Sequence, residues 1–97
     1  MTITSKQRAY LKSLAQKIDP ILQIGKNGLT PEVTEAIDLA LEARELVKIS
    51  VLQNCLEDPR DIAEMLSART KSITVQVIGK KIVLYRPAKK NPKITLS

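Results

Sequence analysis

The chain has 97 residues, 43% of them hydrophobic, and carries 16 basic against 10 acidic residues, for a formal net charge of +6. This length suits one domain with a single core. No apolar run approaches the roughly 18 residues of a membrane helix, the N-terminal stretch lacks a signal-peptide core, and a single cysteine excludes an internal disulfide. The sequence therefore predicts a cytoplasmic protein without membrane contact.

The charges are segregated along the chain. Residues 1–18 contain four basic residues and no acid, residues 65–97 contain eight basic residues and no acid, and all ten acids lie between Asp19 and Glu64. Charge that serves only solubility mixes the two signs. The segregation favours a polyanionic partner.

Three helices are predicted from spacing and capping signals. Apolar residues recur at helical spacing from Thr4 to about Ile18, where Pro20 ends the pattern. The second and third helices begin near Pro31 and Pro59, because a capping side chain precedes each proline. The second helix extends to about residue 44.

Four strands complete the element order α-β-α-β-α-β-β, at residues 21–24, 46–52, 72–78 and 81–86, with a Gly79-Lys80 hairpin turn between the last two. Both βαβ crossovers are expected to give parallel neighbours. Strand alternation places two apolar sets on one face: Val47, Ile49 and Val51, and Ile73, Val75 and Val77. Polar residues occupy the other face, so we expect a compact two-layer α/β domain whose four-stranded mixed sheet carries helices mainly on one face.

The stretch Gly25-Lys26-Asn27-Gly28 stands between a predicted strand and the second helix. Glycines allow positive φ and close backbone approach, and a helix N-terminus offers free N–H groups to an anion. Lys26 adds a full positive charge. The four-residue pattern fits a phosphate-contacting loop and equally a turn that binds nothing; it matches neither the Walker pattern nor the dinucleotide fingerprint.

The sequence lacks the residue types that catalysis, metal binding and base stacking require. The chain has no histidine, and its lone Cys55 has no partner for a nucleophilic or metal-binding cluster. Tyr10 and Tyr85 are its only aromatic residues, whereas proteins that read unpaired bases need several exposed rings. We therefore expect no enzyme activity, no cofactor and no metal, and a nucleic-acid partner held through phosphates and shape.

Three linked segments resemble a known family, the CRM domain (chloroplast RNA splicing and ribosome maturation) in its bacterial single-domain YhbY-like form. They are residues 17–30 (KIDPILQIGKNGLT), 44–48 (RELVK) and 76–87 (QVIGKKIVLYRP). The resemblance implies a fold similar to the C-terminal domain of bacterial translation initiation factor three. It also implies RNA binding and association with precursors of the large ribosomal subunit. The chain departs from the family pattern at Arg44, where histidine is common, and near Lys71, where a glycine is common.

These considerations predict one RNA-binding domain over residues 1–87, a mobile basic tail over residues 88–97, and a monomer. The predicted RNA-binding residues are Gly25, Lys26, Asn27, Gly28, Lys6, Arg8, Lys12, Lys17, Lys80, Lys81 and Arg86. Two alternatives remain. In the first, the chain is a ribosome-associated module that binds proteins through its acidic second helix. In the second, it is a general nucleic-acid binder without ribosomal specificity.

Overall fold

The computed structural model of the chain describes residues 2–96. Its elements follow the predicted order: α1 (Ser5–Ala15), β1 (Leu22–Ile24), α2 (Pro31–Arg44), β2 (Leu46–Val51), α3 (Pro59–Thr70), β3 (Ile73–Ile78) and β4 (Lys81–Tyr85). None of the helices within residues 2–96 is long and apolar enough to cross a membrane.

The helices start where their capping signals predict. The Thr30 hydroxyl accepts the N–H of Val33 at 3.2 Å, and the Asp58 carboxylate accepts the N–H of Arg60 at 2.8 Å. Helix α1 ends at Ala15, earlier than predicted, because its last turn tightens into hydrogen bonds that join residues three apart.

The strands form one mixed sheet in the order β1-β2-β4-β3, in which β1 is parallel to β2, and β4 is antiparallel to both of its neighbours. The expectation of parallel neighbours is confirmed for β1 and β2 and is wrong for β2 and β3, because β4 lies between them. The continuous apolar run Ile82–Tyr85 is fully buried and needs cover on both faces. Strand β3, with Thr74 and Gln76 in its middle, suits the edge.

Alternate residues of β4 define the two faces of the sheet. Ile82 and Leu84 pack with α2 and α3, whereas Val83 and Tyr85 pack with α1. The mixed sheet is confirmed, with two helices on one face. Because α1 crosses the other face, the molecule is three layers deep there rather than two.

A bulge in β3 changes the predicted alternation. Its register against β4 shifts between Thr74 and Gln76. Val75 therefore joins the cluster under α1, while Val77 packs against the cluster on the opposite face. The prediction that Ile73, Val75 and Val77 share a face is wrong, whereas all three residues of the β2 set lie in the core under α2 and α3.

Candidate nucleic-acid interface

Three turns meet at one end of the sheet, which we name the turn end: residues 25–28, 52–55 and 78–81. Backbone hydrogen bonds join them, since Leu52 N–H donates to the Ile24 carbonyl at 2.8 Å and Val51 N–H donates to the Lys80 carbonyl at 2.7 Å. The carboxyl ends of two parallel strands and the tip of a hairpin therefore lie together. Lys26 and Lys80, which are 54 residues apart in the sequence, project from the same end of the domain.

The turn at residues 25–28 closes through a hydrogen bond from Gly28 N–H to the Gly25 carbonyl at 3.0 Å. Lys26 and Asn27 occupy its exposed central positions, and Gly28 is buried with a φ of 64°. An L side chain at that φ is strained, so Gly28 is required by the turn itself. Gly25 has no such φ, and a Cβ there would meet the Asn54 side chain at an ordinary 3.4 Å.

This turn offers donors that the protein does not use. Within residues 2–96, the backbone N–H groups of Lys26 and Asn27 and the Lys26 ammonium have no hydrogen-bond or ion-pair partner. The N-terminus of α2 offers fewer free N–H groups to an anion than the sequence suggested, because the Thr30 side chain already accepts one of them. The exposed Glu57 carboxylate lies beside Gly28 and opposes an anion on that side.

The sheet continues the turn end on the face that α1 only partly covers. A row crosses all four strands in register, through Gln23, Ser50, Lys81 and Ile78. The Lys81 ammonium donates to the Ser50 hydroxyl at 3.0 Å. One step back on the same face lies Lys48, which lines a shallow cleft with Lys81. Lys48 was missed as a site residue, although strand alternation had placed it on the polar face.

The basic residues of α1, and Lys17 two residues after it, divide between two edges of the helix. Arg8 and Lys12 follow one edge toward Gln16, which borders the cleft of Lys48 and Lys81. The Arg8 guanidinium donates to two carbonyls of the β3 bulge, at 2.7 and 2.8 Å, so that side chain stabilises the edge strand. Lys6 and Lys17 lie on the other edge, against the C-terminal residues, and are not gathered with the turn end.

Arg86 is bound inside the protein. Its side chain is 13% exposed, and its Nη1 donates to a carboxylate oxygen of Asp38 at 2.5 Å and to the Thr70 carbonyl at 2.7 Å. Nη2 donates to the Asp38 carbonyl at 3.0 Å and lies 3.5 Å from the Glu42 carboxylate. Arg86 follows β4 at the opposite end of the sheet from the turns, so its guanidinium has a structural role and does not join the turn end.

Glu45 is the second buried charge at that opposite end, where β2 and β3 begin and β4 ends. We name it the hub end. The residue is fully buried, although it directly follows the acidic second helix. Its carboxylate accepts three backbone N–H groups, from Ala88 at 2.8 Å, Lys93 at 2.5 Å and Ile94 at 2.8 Å. Its backbone has a φ of 68°, unusual for a residue with a side chain. Glu45 therefore fastens the C-terminal residues to the domain.

These contacts bear on the predicted mobile tail. Ala88 is buried, and Ile94 and Leu96 pack beside α1. The mobility of residues 88–96 stays a prediction, and the hydrogen bonds to Glu45 weigh against it. Met1 and Ser97, the outer limits of the two predicted regions, lie outside the described residues.

The ionisation of Glu45 reflects two opposed effects. Burial by itself raises the pKa of the carboxyl. The N–H donors from Ala88, Ile94 and Lys93, with the charge of Lys93, outweigh burial and leave the pKa below its ordinary value. The neighbouring Tyr85 responds in the other direction, since burial and then the Glu45 charge raise the pKa of its phenol. The hub end therefore holds a charged carboxylate at neutral pH.

Residues 2–96 contain no group of three or more histidine, cysteine, aspartate or glutamate side chains placed to hold a metal ion. Tyr85 is buried, and Tyr10 is the only aromatic residue with substantial exposure in the described chain, on the edge of α1 that faces the C-terminal residues. The turn end therefore presents cations and free N–H groups without an aromatic stacking surface.

Comparison with known proteins identifies the class. The model of the CRS1/YhbY (CRM) domain matches residues 3–86, and the chain belongs to this family. Membership confirms the predicted family and the prediction that the chain is not an enzyme.

Individual relatives are similar over most of the chain. The probable RNA-binding protein YqeI of Bacillus subtilis is 49% identical, over 97% of this chain and 98% of its own length. An RNA-binding protein of Haemophilus influenzae is 39% identical, over 90% and 88%. The solution structure of the hypothetical protein SAV1595 from Staphylococcus aureus superposes with a TM-score of 0.83 at 51% identity, covering 99% of this chain and 100% of that one. The chloroplast CRM-domain factor CFM2 of Arabidopsis thaliana is 32% identical over 87% of this chain, which is 9% of that longer protein.

The structure explains one departure from the family pattern. Lys71 ends α3 in the left-handed conformation, with a φ of 55°. Glycine adopts that conformation without strain, which accounts for the glycine expected near this position. The lysine keeps the turn and adds a positive charge at the hub end.

Proposed function

We propose that this chain is a cytoplasmic RNA-binding protein that contacts RNA phosphates through the turn end, with no enzymatic step. The observation that carries the proposal is the gathering of Lys26, Lys80 and two free backbone N–H groups at one end of the sheet. The names of the similar proteins favour RNA over DNA. A phosphate contact is also the mode available to a domain whose one substantially exposed ring within residues 2–96, Tyr10, lies away from the turn end.

The proposed surface contains Gly25, Lys26, Asn27, Gly28, Lys80 and Lys81, with Lys48 and Lys12 beside them. Gly28 sets the turn, Lys26 and Asn27 supply the donors, and Lys81 carries positive charge onto the open sheet. Arg8 is placed at its border, where its guanidinium orders the edge strand. Lys6, Lys17 and Arg86 are left out of it on geometric grounds.

We further propose that the RNA is the precursor of the large ribosomal subunit and that the protein assists its assembly. This finer assignment rests on the family resemblance. Crosslinking the protein to RNA in living cells, followed by sequencing, tests it. Reads concentrated on precursor large-subunit rRNA support it, whereas reads spread over transfer and messenger RNA keep the RNA contact and remove the ribosome.

The phosphate contact itself is tested with Lys26→Glu. We expect RNA affinity to fall by about ten-fold or more, since a charge-assisted contact of roughly 1.5–3 kcal/mol is lost and repulsion is added. The fold should survive, because Lys26 is exposed and has no partner in residues 2–96. Lys6→Glu, which makes the same change in net charge on the far edge of α1, is the matched control. Equal affinities for the two variants would count against the turn end, and binding that survives nuclease treatment would favour a protein partner.

A further inference from the structure

The hub end carries positive charge that the protein does not neutralise. Three of its exposed cations lie along one cleft: Arg69 at the end of α3, Lys71 at the cap, and Lys89 after β4. Together with Thr70, Pro87, Asp38 and Arg86 they line a cleft of about 290 Å³. The turn end lies at the other end of β3, about 17 Å away, for the five steps of roughly 3.3 Å between its six residues.

The acids of the hub end already have partners. Glu45 is enclosed by backbone N–H groups, while Asp38 and Glu42 are paired with Arg86. Glu35 borders Arg69 on the side of α2, and no ion pair joins the two. Within residues 2–96, the carboxylates that form ion pairs therefore pair with Arg86 and with none of the three exposed cations.

The three exposed cations are free in consequence. Within residues 2–96, the side chains of Arg69, Lys71 and Lys89 have no hydrogen-bond or ion-pair partner. The cleft lining has four cations, with Arg86, and one carboxylate, that of Asp38; counting also Glu42, which lies 3.5 Å from Arg86 Nη2, leaves a balance of +2. Like charges around a concave surface concentrate a polyanion there, because each phosphate that binds relieves their repulsion and releases counterions.

We propose that this cleft is a second RNA-backbone site, so that the domain holds one RNA at both ends of its sheet. The site takes phosphate groups on Arg69, Lys71 and Lys89, with the guanidinium of Arg86 held rigidly beneath them. It rests on the proposed function, since it takes the same ligand as the turn end. An RNA that reaches both sites spans the length of β3, within a domain whose greatest extent is 38 Å.

The test compares two double variants with equal loss of charge. Arg69→Gln with Lys89→Gln removes two cations of the cleft, and Lys6→Gln with Lys17→Gln removes two from the far edge of α1. Each is titrated at several salt concentrations with an RNA hairpin of about 20 base pairs, longer than the roughly 16 that a double-stranded RNA-binding domain spans.

We expect the cleft variant to bind about ten-fold more weakly and to lose about 1.4–1.8 from the slope of log affinity against log salt, for two phosphates at roughly 0.7–0.9 each. The α1 variant should change affinity less than about two-fold. Identical behaviour of the two variants would overturn the second site. Thermal unfolding confirms the fold, and Lys71→Asn, which keeps a residue tolerant of the left-handed cap, replaces the double variant if that one fails to fold.

Failure of this site is separable from failure of the proposed function. If Lys26→Glu weakens binding while the cleft variant matches its control, RNA binds the turn end alone. If the native protein shows no salt-dependent RNA binding, both proposals fall. In the combined Lys26→Glu and cleft variant, two separate contacts predict that the losses in log affinity add.

Discussion

The two ends of the sheet use the same kinds of side chain in opposite ways. At the turn end, Lys26 is exposed and without a partner, whereas at the hub end Arg86 is 13% exposed and bound to Asp38 and Thr70. Glu57 lies in solvent beside the first turn, while Glu45 is fully buried and accepts three N–H groups. Burial decides which charges stabilise the fold and which remain available to a ligand.

The comparison of the two ends also separates the free-energy cost of a buried charge from that of an exposed one. A buried charge must be matched by donors or counter-charges, or it destabilises the fold. An exposed cation costs little in the free protein and gains when a phosphate arrives. Substitutions of the buried charges Glu45 and Arg86 should therefore act mainly on stability, and substitutions of exposed cations on binding.

The largest effect is expected for Glu45→Ala. Three backbone N–H groups lose their acceptor, at about 1–3 kcal/mol for each that stays buried, so we expect a loss of roughly 3 kcal/mol or more in the free energy of unfolding. Urea denaturation measures it, with exposed Glu35→Ala as the control. Glu45→Gly should be about 1 kcal/mol more stable than Glu45→Ala, since glycine accepts the φ of 68°. Native stability in both variants would mean that the C-terminal residues are not fastened there.

The second largest loss of stability is expected for Arg86→Gln. It removes a buried ion pair, and because Asp38 is half exposed we discount the loss to about 2 kcal/mol in the free energy of unfolding. The folded variant should lose less RNA affinity than the Arg69→Gln and Lys89→Gln double variant, because Arg86 lies beneath the proposed cleft with its donors bound to Asp38 and Thr70. Lys26→Gln should weaken RNA binding and leave the unfolding curve unchanged. An RNA affinity of folded Arg86→Gln protein as low as that of the double variant would show that Arg86 contacts RNA directly.

Gly28→Ala should have a smaller effect. The left-handed φ of 64° costs a residue with a Cβ about 1–2 kcal/mol, while the Glu57 carboxylate that a Cβ would meet can move aside. Gly25→Ala, in the same turn but without that φ, should change stability by less than about 0.5 kcal/mol. Thermal unfolding of the pair distinguishes them, and equal melting temperatures would show that the turn tolerates a side chain at both glycines.

The smallest effect is a pH dependence at the hub end. The pKa of Glu45 is lowered in the folded protein, so its contribution to stability is present above the pKa of the unfolded state and is lost as the pH falls through the folded pKa. The stability gap between native protein and Glu45→Gln should therefore be constant near neutral pH and shrink on acidification. Unfolding free energies from about pH 7 to about pH 3 measure the gap. A constant gap over that range would contradict the assigned charge.

Local signals in the sequence located most of the elements. The starts of α2 and α3 follow from Thr30-Pro31 and Asp58-Pro59, and the final hairpin follows from Gly79-Lys80. The turn at residues 25–28 was predicted from its glycines, and the structure places its two central residues in solvent. Each of these depends on neighbours within a few residues, which is why the sequence alone determined them.

The tertiary structure decided what depends on distant partners. The central place of β4 and the bulge in β3 arise from pairing between strands, and Val75 at the bulge lies on the face opposite to the predicted one. Arg86 and Glu45 acquired structural roles from partners up to 49 residues away, which no charge count could reveal. The sequence determined that the chain is basic, small and of this family, because composition and motif are local properties. Only folding decided which charges are paired inside the protein, because a charge is neutralised by the opposite charges and hydrogen-bond donors that folding brings within a few ångströms of it.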